Sequence, residues 1–204
     1  MSRILRKIPS NHIGSENITI GFDLALNSTG VCVNVNGYSY VCIVGNEYRG
    51  CCEVFQTMLY RRIKEGGHDT ILKHKSVWNQ ILVADTFINE VLIANDISRG
   101  EVESIRVESL AMSQLGRNSR IIDLTIVLSN YLTYIKNSFK GNLHLVSAHT
   151  LKKQYLGKLP KKKDGDAKEM MLKKFEAELN IDLSYGKNDD GVDAFCLANK
   201  IVLP

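Results

Sequence analysis

The chain has 204 residues, 44% of them hydrophobic and 24% charged, enough apolar sequence to bury a core without disulfides or structural metal, which excludes a disordered polypeptide. Its formal charge of +4 is too small to identify a nucleic-acid partner, so the distribution of charge along the chain must carry that argument. The five cysteines, Cys32, Cys42, Cys51, Cys52 and Cys196, contain no Cys-x-x-Cys spacing, which argues against a disulfide framework or a zinc site and for thiols in an intracellular, reducing compartment.

Residues 1–17 carry Arg3, Arg6 and Lys7 but no apolar signal-peptide run, and are expected to form a flexible basic arm, with an organelle address as the alternative. The most apolar stretch, Ile81 to Ala94, is interrupted by Asp85, Asn89 and Glu90, so no membrane span is expected. Ile18 to Leu26 is β-prone and runs into the turn Asn27-Ser28-Thr29-Gly30, the pattern of a buried strand. Val31 to Asn36 and Tyr38 to Val44 follow, joined at Asn36-Gly37, a strong signal for a two-residue hairpin. Residues 46–67 show no readable period.

From Thr70 to Asn95 apolar residues recur at helical spacing, among them Ile71, Val77, Trp78, Ile81, Leu82, Phe87, Ile88 and Val91. Ser104 to Glu108 reads as a short strand. Ser119 to Lys136 reads as a helix apolar on more than one face, buried in the domain or against a partner subunit. Leu143 to Ser147 is a further strand. Thr150 to Leu156, Asp166 to Leu179 and Asp190 to Val202 read as helices, and Gly157 to Gly165 as a lysine-rich linker. Strand and helix alternate after an antiparallel meander, which predicts a single α/β domain over 18–204 with a mixed sheet covered by helices.

Four carboxylates sit where this organisation makes them expensive. Asp23 interrupts an apolar strand and Glu108 ends another, while Asp190 and Asp193, three apart, share one face at the start of the last helix. Singly they have ordinary explanations: Asp189 or Asp190 as an N-cap, Asp193 as a favourable charge in a first helical turn, Asp23 as the start of a turn. Together they can converge from two strands and a helix end, where like charges repel and a hard divalent cation, Mg²⁺ or Mn²⁺, is the natural compensation. Two such ions ~4 Å apart suit phosphodiester hydrolysis.

The basic residues are clustered too. Lys152, Lys153, Lys158, Lys161, Lys162, Lys163, Lys168, Lys173 and Lys174 share their span with only Asp164, Asp166 and Glu169. A lysine run is commonly a solvated face, but this one lies between a strand and the acidic pair, where phosphates would have to be held. Arg117 and Arg120, in a loop after Glu108, are weaker candidates for the same role. The five histidines show no paired metal spacing, and Ser28 and Thr29 read as turn residues rather than nucleophiles.

Asp23-Leu24-Ala25-Leu26-Asn27-Ser28-Thr29-Gly30 resembles the first-strand motif Asp-x-x-Leu-x-x-Thr-Gly of the RuvC family of Holliday-junction resolvases. Val107-Glu108 resembles that family's second acidic motif, and Asp190-Gly191-Val192-Asp193-Ala194 its closing Asp-x-x-Asp-Ala. Between them, Lys153-Gln154-Tyr155-Leu156-Gly157 and Asp166-Ala167-Lys168-Glu169 are similar to its Lys-Gln-x-x-Gly and acidic-Lys-acidic stretches. Leu24-Ala25 stands where the family commonly has Pro-Gly, and residues 46–67 have no counterpart in the resemblance.

The resemblance implies an RNase H-like fold: a five-stranded mixed sheet, three antiparallel strands then parallel ones. It also implies a homodimer that makes paired Mg²⁺-dependent nicks in four-way DNA during recombination, replication or repair, and the departures from the family pattern fit a viral or phage member. Asp23, Glu108, Asp190 and Asp193 would be catalytic and hold two metal ions, with Mn²⁺ able to replace Mg²⁺. Lys168 would stabilise charge on the scissile phosphate, and Lys152 or Lys153 would contact DNA. The host cell or a bacterial cytoplasm is the expected location.

Three other readings stand beside this one. An actin-like kinase or ATPase also opens on an Asp-bearing strand and hairpin, but needs Gly-rich phosphate loops that this sequence lacks. A related nuclease acting on flaps, forks or RNA–DNA hybrids would use the same carboxylates. A DNA-binding relative with a decayed site would not need all four.

Overall fold

The computed structural model describes residues 5–10, 17–25, 27–47, 52–61, 70–109, 119–160, 166–183 and 188–201. Among them lie strands β1 (Ile8–Pro9), β2 (Ile18–Leu24), β3 (Ser28–Val35), β4 (Tyr38–Gly45), β5 (Gln56–Leu59), β6 (Ser104–Ser109) and β7 (Asn142–Ser147). The helices are α1 (Thr70–Ala94), α2 (Ser119–Ser138), α3 (Ala148–Leu156), α4 (Ala167–Leu179) and α5 (Asp189–Asn199). The five expected strands form the body of one mixed sheet in the order β4-β3-β2-β6-β7. β2, β3 and β4 are antiparallel neighbours, whereas β6 runs parallel to β2 and β7 parallel to β6.

Two strands are additions to the expected five, and both lie on the outer edge of β4. β1 pairs with Tyr38 and Ser39, and β5 runs parallel to Cys42 through Gly45. At two and four residues they are too short for alternation to reveal them. The hairpin between β3 and β4 turns at Asn36 and Gly37, with φ of 48° and 83°, the left-handed pair that a tight two-residue loop requires.

Side chains alternate across β2: Ile18, Ile20, Phe22 and Leu24 enter the core under α1 and α2, and Thr19, Gly21 and Asp23 face α5. All seven residues are buried, as a central strand covered on both faces must be. The second core, between the other face of the sheet and α3, α4 and α5, contains Val41, Ile43, Phe175, Phe195 and Leu197. α1 keeps Val77, Ile81, Phe87, Ile88 and Val91 in the first core but leaves Ile71, Trp78, Leu82 and Ile93 exposed along its opposite side. No described helix is long and apolar enough to cross a membrane.

Candidate metal centre

Asp23 and Glu108 follow directly on Phe22 and Val107, which are paired across the parallel strands β2 and β6. Their side chains therefore leave the same end of the sheet on the same face, toward α5. α5 lies close against that face where Gly21 and Gly30 stand beneath it. A Cβ on Gly30, which pairs with Asp23, would come within 1.8 Å of the Asp190 carbonyl oxygen. One on Gly21 would come within 2.3 Å of the Ala194 carbonyl oxygen. The far end of the helix is tied down as well: the Thr19 hydroxyl donates to the Ala198 carbonyl at 2.8 Å, and the buried Arg106 guanidinium donates to the Leu197 and Ala198 carbonyls at 3.1 and 3.3 Å. A cation there also complements the negative end of the helix dipole.

Asp23, Glu108 and Asp193 each place a carboxylate oxygen within 4.8 Å of the other two. Asp23 and Asp193 are 9% and 6% exposed, so the cluster is largely out of water. Burial, followed by repulsion from Glu108, Asp193 and Asp190, holds the Asp23 carboxyl well above the ordinary range. Burial lifts Asp193 to about 7, with Glu108 adding to the rise and Lys168 and Lys152 opposing it. Glu108 is also raised by burial, against the nearby charges of Lys152 and Lys168 and a hydrogen bond from Asp23.

Asp190 stands beside this trio and outside its tight oxygen set among the described residues. Its carboxylate accepts a hydrogen bond from the Ser28 hydroxyl, at the start of β3. Ser28 thus has a side-chain role that its reading as a turn residue did not foresee, because the partner is 162 positions away. Lys168 sits in the first turn of α4, where the side chain of the N-cap Asp166 accepts from its backbone N–H at 3.0 Å. Its ammonium forms an ion pair with Asp189. Burial alone would lower the lysine pKa, but the bond and charge of Asp189, joined by Asp193 and Asp190, leave it raised. Neither Asp189 nor Asp190 is the N-cap of α5: that position is Asn188, and both aspartates lie in the first turn. Asp189 and Arg106 were not legible as site residues, since an acid at a helix start and an arginine in a strand are unremarkable until their partners are known.

Lys152 is half-buried on α3 and lies close enough to act on the charges of Glu108 and Asp193. Lys153, the next residue, is exposed and lines a different, open depression with His149, Thr150, Gln154 and Gly157. Arg117, Lys161, Lys162 and Lys163 lie outside the described residues, as does the side chain of Arg120.

No protein-family model matches the sequence, and neither does any curated protein. Similarity appears at the level of structure. RuvC of Thermus thermophilus in complex with a Holliday junction substrate is similar over 90% of this chain and 91% of its own, with a TM-score of 0.52 at 14% identity. A second Thermus thermophilus RuvC structure gives 0.49 at 14% identity over 89% of this chain and 90% of that one. The yeast mitochondrial Holliday junction resolvase Ydc2 gives 0.42 at 12%, over 90% and 76%. The likeness to the junction-bound RuvC structure shows the fold, the RNase H-like one that the resemblance implied.

Proposed function

We propose that this protein is a divalent-metal-dependent nuclease that resolves four-way DNA junctions in recombination or repair, with Asp23, Glu108, Asp190 and Asp193 as its metal-holding and catalytic carboxylates. The observation that carries this reading is the trio of buried carboxylates within 4.8 Å of one another at one end of the sheet. The donor set suits Mg²⁺, or Mn²⁺ in its place: it is all oxygen, with no sulfur or imidazole, and its raised carboxyl pKa values mark negative charge that lacks compensation. Two ions per site fit four carboxylates. When bound, the ions supply an activated water and stabilise the leaving oxygen.

The chain's own residues do the rest. Because burial raises the carboxyl groups of Asp23, Glu108 and Asp193, protons compete with a cation for the cluster, so metal occupancy would rise with pH. Ser28 fixes the orientation of the Asp190 carboxylate. Lys168 and Lys152 keep positive charge beside the cluster, where they orient the scissile phosphate and stabilise the charge that develops on it. Lys153, Lys161, Lys162, Lys163, Arg117 and Arg120 extend the contact along the DNA backbone. A homodimer belongs to the same reading, because resolution needs two paired nicks; the exposed apolar stripe of Ile71, Trp78, Leu82 and Ile93 supports it.

The test is to incubate the protein in Mg²⁺ with labelled four-way junction, flap, duplex and RNA–DNA hybrid, alongside Asp23→Asn and Asp193→Asn. Symmetric paired nicks in the junction are expected, with each variant slowed more than about 100-fold. Cleavage of flaps or hybrids in preference to the junction would replace the resolvase reading with that of a related nuclease. Undiminished cutting by both variants would remove the metal-site assignment.

A further inference from the structure

Residues 46–67 have no counterpart in the motifs that carry the family resemblance, yet Cys52 and Phe55 within them rest on the start of the helix that carries the aspartates. Cys52 to Phe55 make a tight turn, with the Phe55 N–H donating to the Cys52 carbonyl at 3.1 Å. From that turn the Cys52 N–H donates to the Asn188 Oδ1 at 2.7 Å, and both residues are buried. Asn188 is the N-cap of α5, but its side chain makes no capping bond; its amide instead donates to the Leu183 carbonyl at 3.1 Å. The Phe55 ring, 1% exposed, lies over Gly191, so closely that a Cβ there would come within 2.6 Å of it. Phe55 also packs on Phe175 at 5.8 Å between ring centroids, and Phe175 on Phe195 of α5 at 4.9 Å.

The turn is itself anchored. The Arg6 guanidinium donates to the Glu53 carbonyl. β5 is hydrogen-bonded along β4, and the Tyr60 N–H donates to the Gly45 carbonyl at 2.9 Å. Asn79 of α1 donates to the Arg61 carbonyl at 2.9 Å. The segment therefore links the sheet edge to the first turn of α5.

A helix's first turn lacks half of its backbone hydrogen bonds and is the part most prone to fray. In α5 that turn carries Asp190, and Asp193 follows at once, while the N-cap side chain is committed to holding the neighbouring segment. Metal ligands must be held within about 0.5 Å to bind well. We infer that residues 52–59 are a brace for the metal centre, in which Phe55 and the Cys52–Asn188 bond act as positioning groups that keep Asp190 and Asp193 facing Asp23 and Glu108. The inference rests on the metal reading above.

The experiment measures Mn²⁺ binding by calorimetry and by electron paramagnetic resonance for the full chain and for Phe55→Ala, Phe55→Leu and Asn188→Ala. Ile88→Ala, buried in the other core, serves as the control for reduced stability, and every variant is measured at a temperature where circular dichroism shows it folded. Phe55→Ala and Asn188→Ala are expected to bind Mn²⁺ about 10-fold more weakly. Phe55→Leu, which keeps an apolar group in the pocket, should fold and fall in between, and Ile88→Ala should bind as the unaltered chain does. Unaltered Mn²⁺ affinity in the Phe55 and Asn188 variants would overturn the brace alone. An equal loss in Ile88→Ala would overturn it too, by reducing the effect to stability. Failure of the unaltered chain to bind Mn²⁺ would overturn the metal reading and the brace with it.

Discussion

At Asp193, burial and the charge of Glu108 lift the carboxyl from 3.8 to about 7, and Asp23 and Glu108 move in the same direction. A folded-state pKa above the unfolded one means that the folded chain holds more protons through this window. The stability these groups contribute is full below the unfolded value and is lost as pH rises through the folded one. The metal-free protein is therefore expected to melt at progressively lower temperature as pH rises from about 4 through about 7, by on the order of 3 °C for each kcal/mol lost. Asp193→Asn should flatten that decline, and Mn²⁺ added at pH 8 should reverse it. Differential scanning calorimetry across pH, with and without Mn²⁺, measures both; a melting temperature that holds level or rises without metal would contradict the buried-carboxylate account. The sequence revealed the type and spacing of these acids. It did not reveal their partners, so the Ser28 bond to Asp190 and the Asp189 pair with Lys168 emerged only from the fold.

α5 is where packing and chemistry meet. Gly21 and Gly30 read as ordinary members of a strand and a turn, yet each stands where any larger residue would push against the helix backbone. Gly30→Ala is expected to destabilise the protein by about 1–3 kcal/mol through overpacking. It should also weaken Mn²⁺ binding, because the obstructed atom belongs to Asp190, a proposed ligand. Urea denaturation followed by Mn²⁺ titration checks the two effects in turn; a variant as stable as the parent would mean that the helix tolerates a greater separation from the sheet. Most elements were legible from alternation and helical period, because these express which face of a segment is buried. β1 and β5 were not, being held by the edge of β4 rather than by any pattern of their own. The apolar spacing of α1 was legible as a helix, but the pattern did not show that Ile71, Trp78, Leu82 and Ile93 lie outside the core.

Over the whole molecule the formal charge of +4, from 26 lysines and arginines against 22 aspartates and glutamates, conceals an acidic cluster and a lysine-rich stretch. Two bound divalent ions would raise it to about +8, so the metal-loaded protein meets DNA as a more cationic particle than its composition suggests. Replacing Lys161, Lys162 and Lys163 together by alanine should weaken junction binding. The dependence of log affinity on log salt should flatten by up to about 3 units, nearly one for each phosphate that is no longer neutralised. Fluorescence anisotropy over a range of salt reads the slope directly, and an unchanged slope would return the three lysines to a solvated face.

Local pattern determined the kinds and order of the five main strands and the helices, the Asn36-Gly37 hairpin and the four candidate carboxylates, because turn geometry, alternation and helical period involve only neighbours in the chain. Tertiary structure decided that Asp23, Glu108 and Asp193 form the tight group with Asp190 at its side, that Lys168 pairs with Asp189, and that the Cys52–Phe55 turn lies against α5. Those outcomes depend on strand register and on how closely a helix can approach a glycine-lined sheet, and both are set by contacts between residues far apart in the chain.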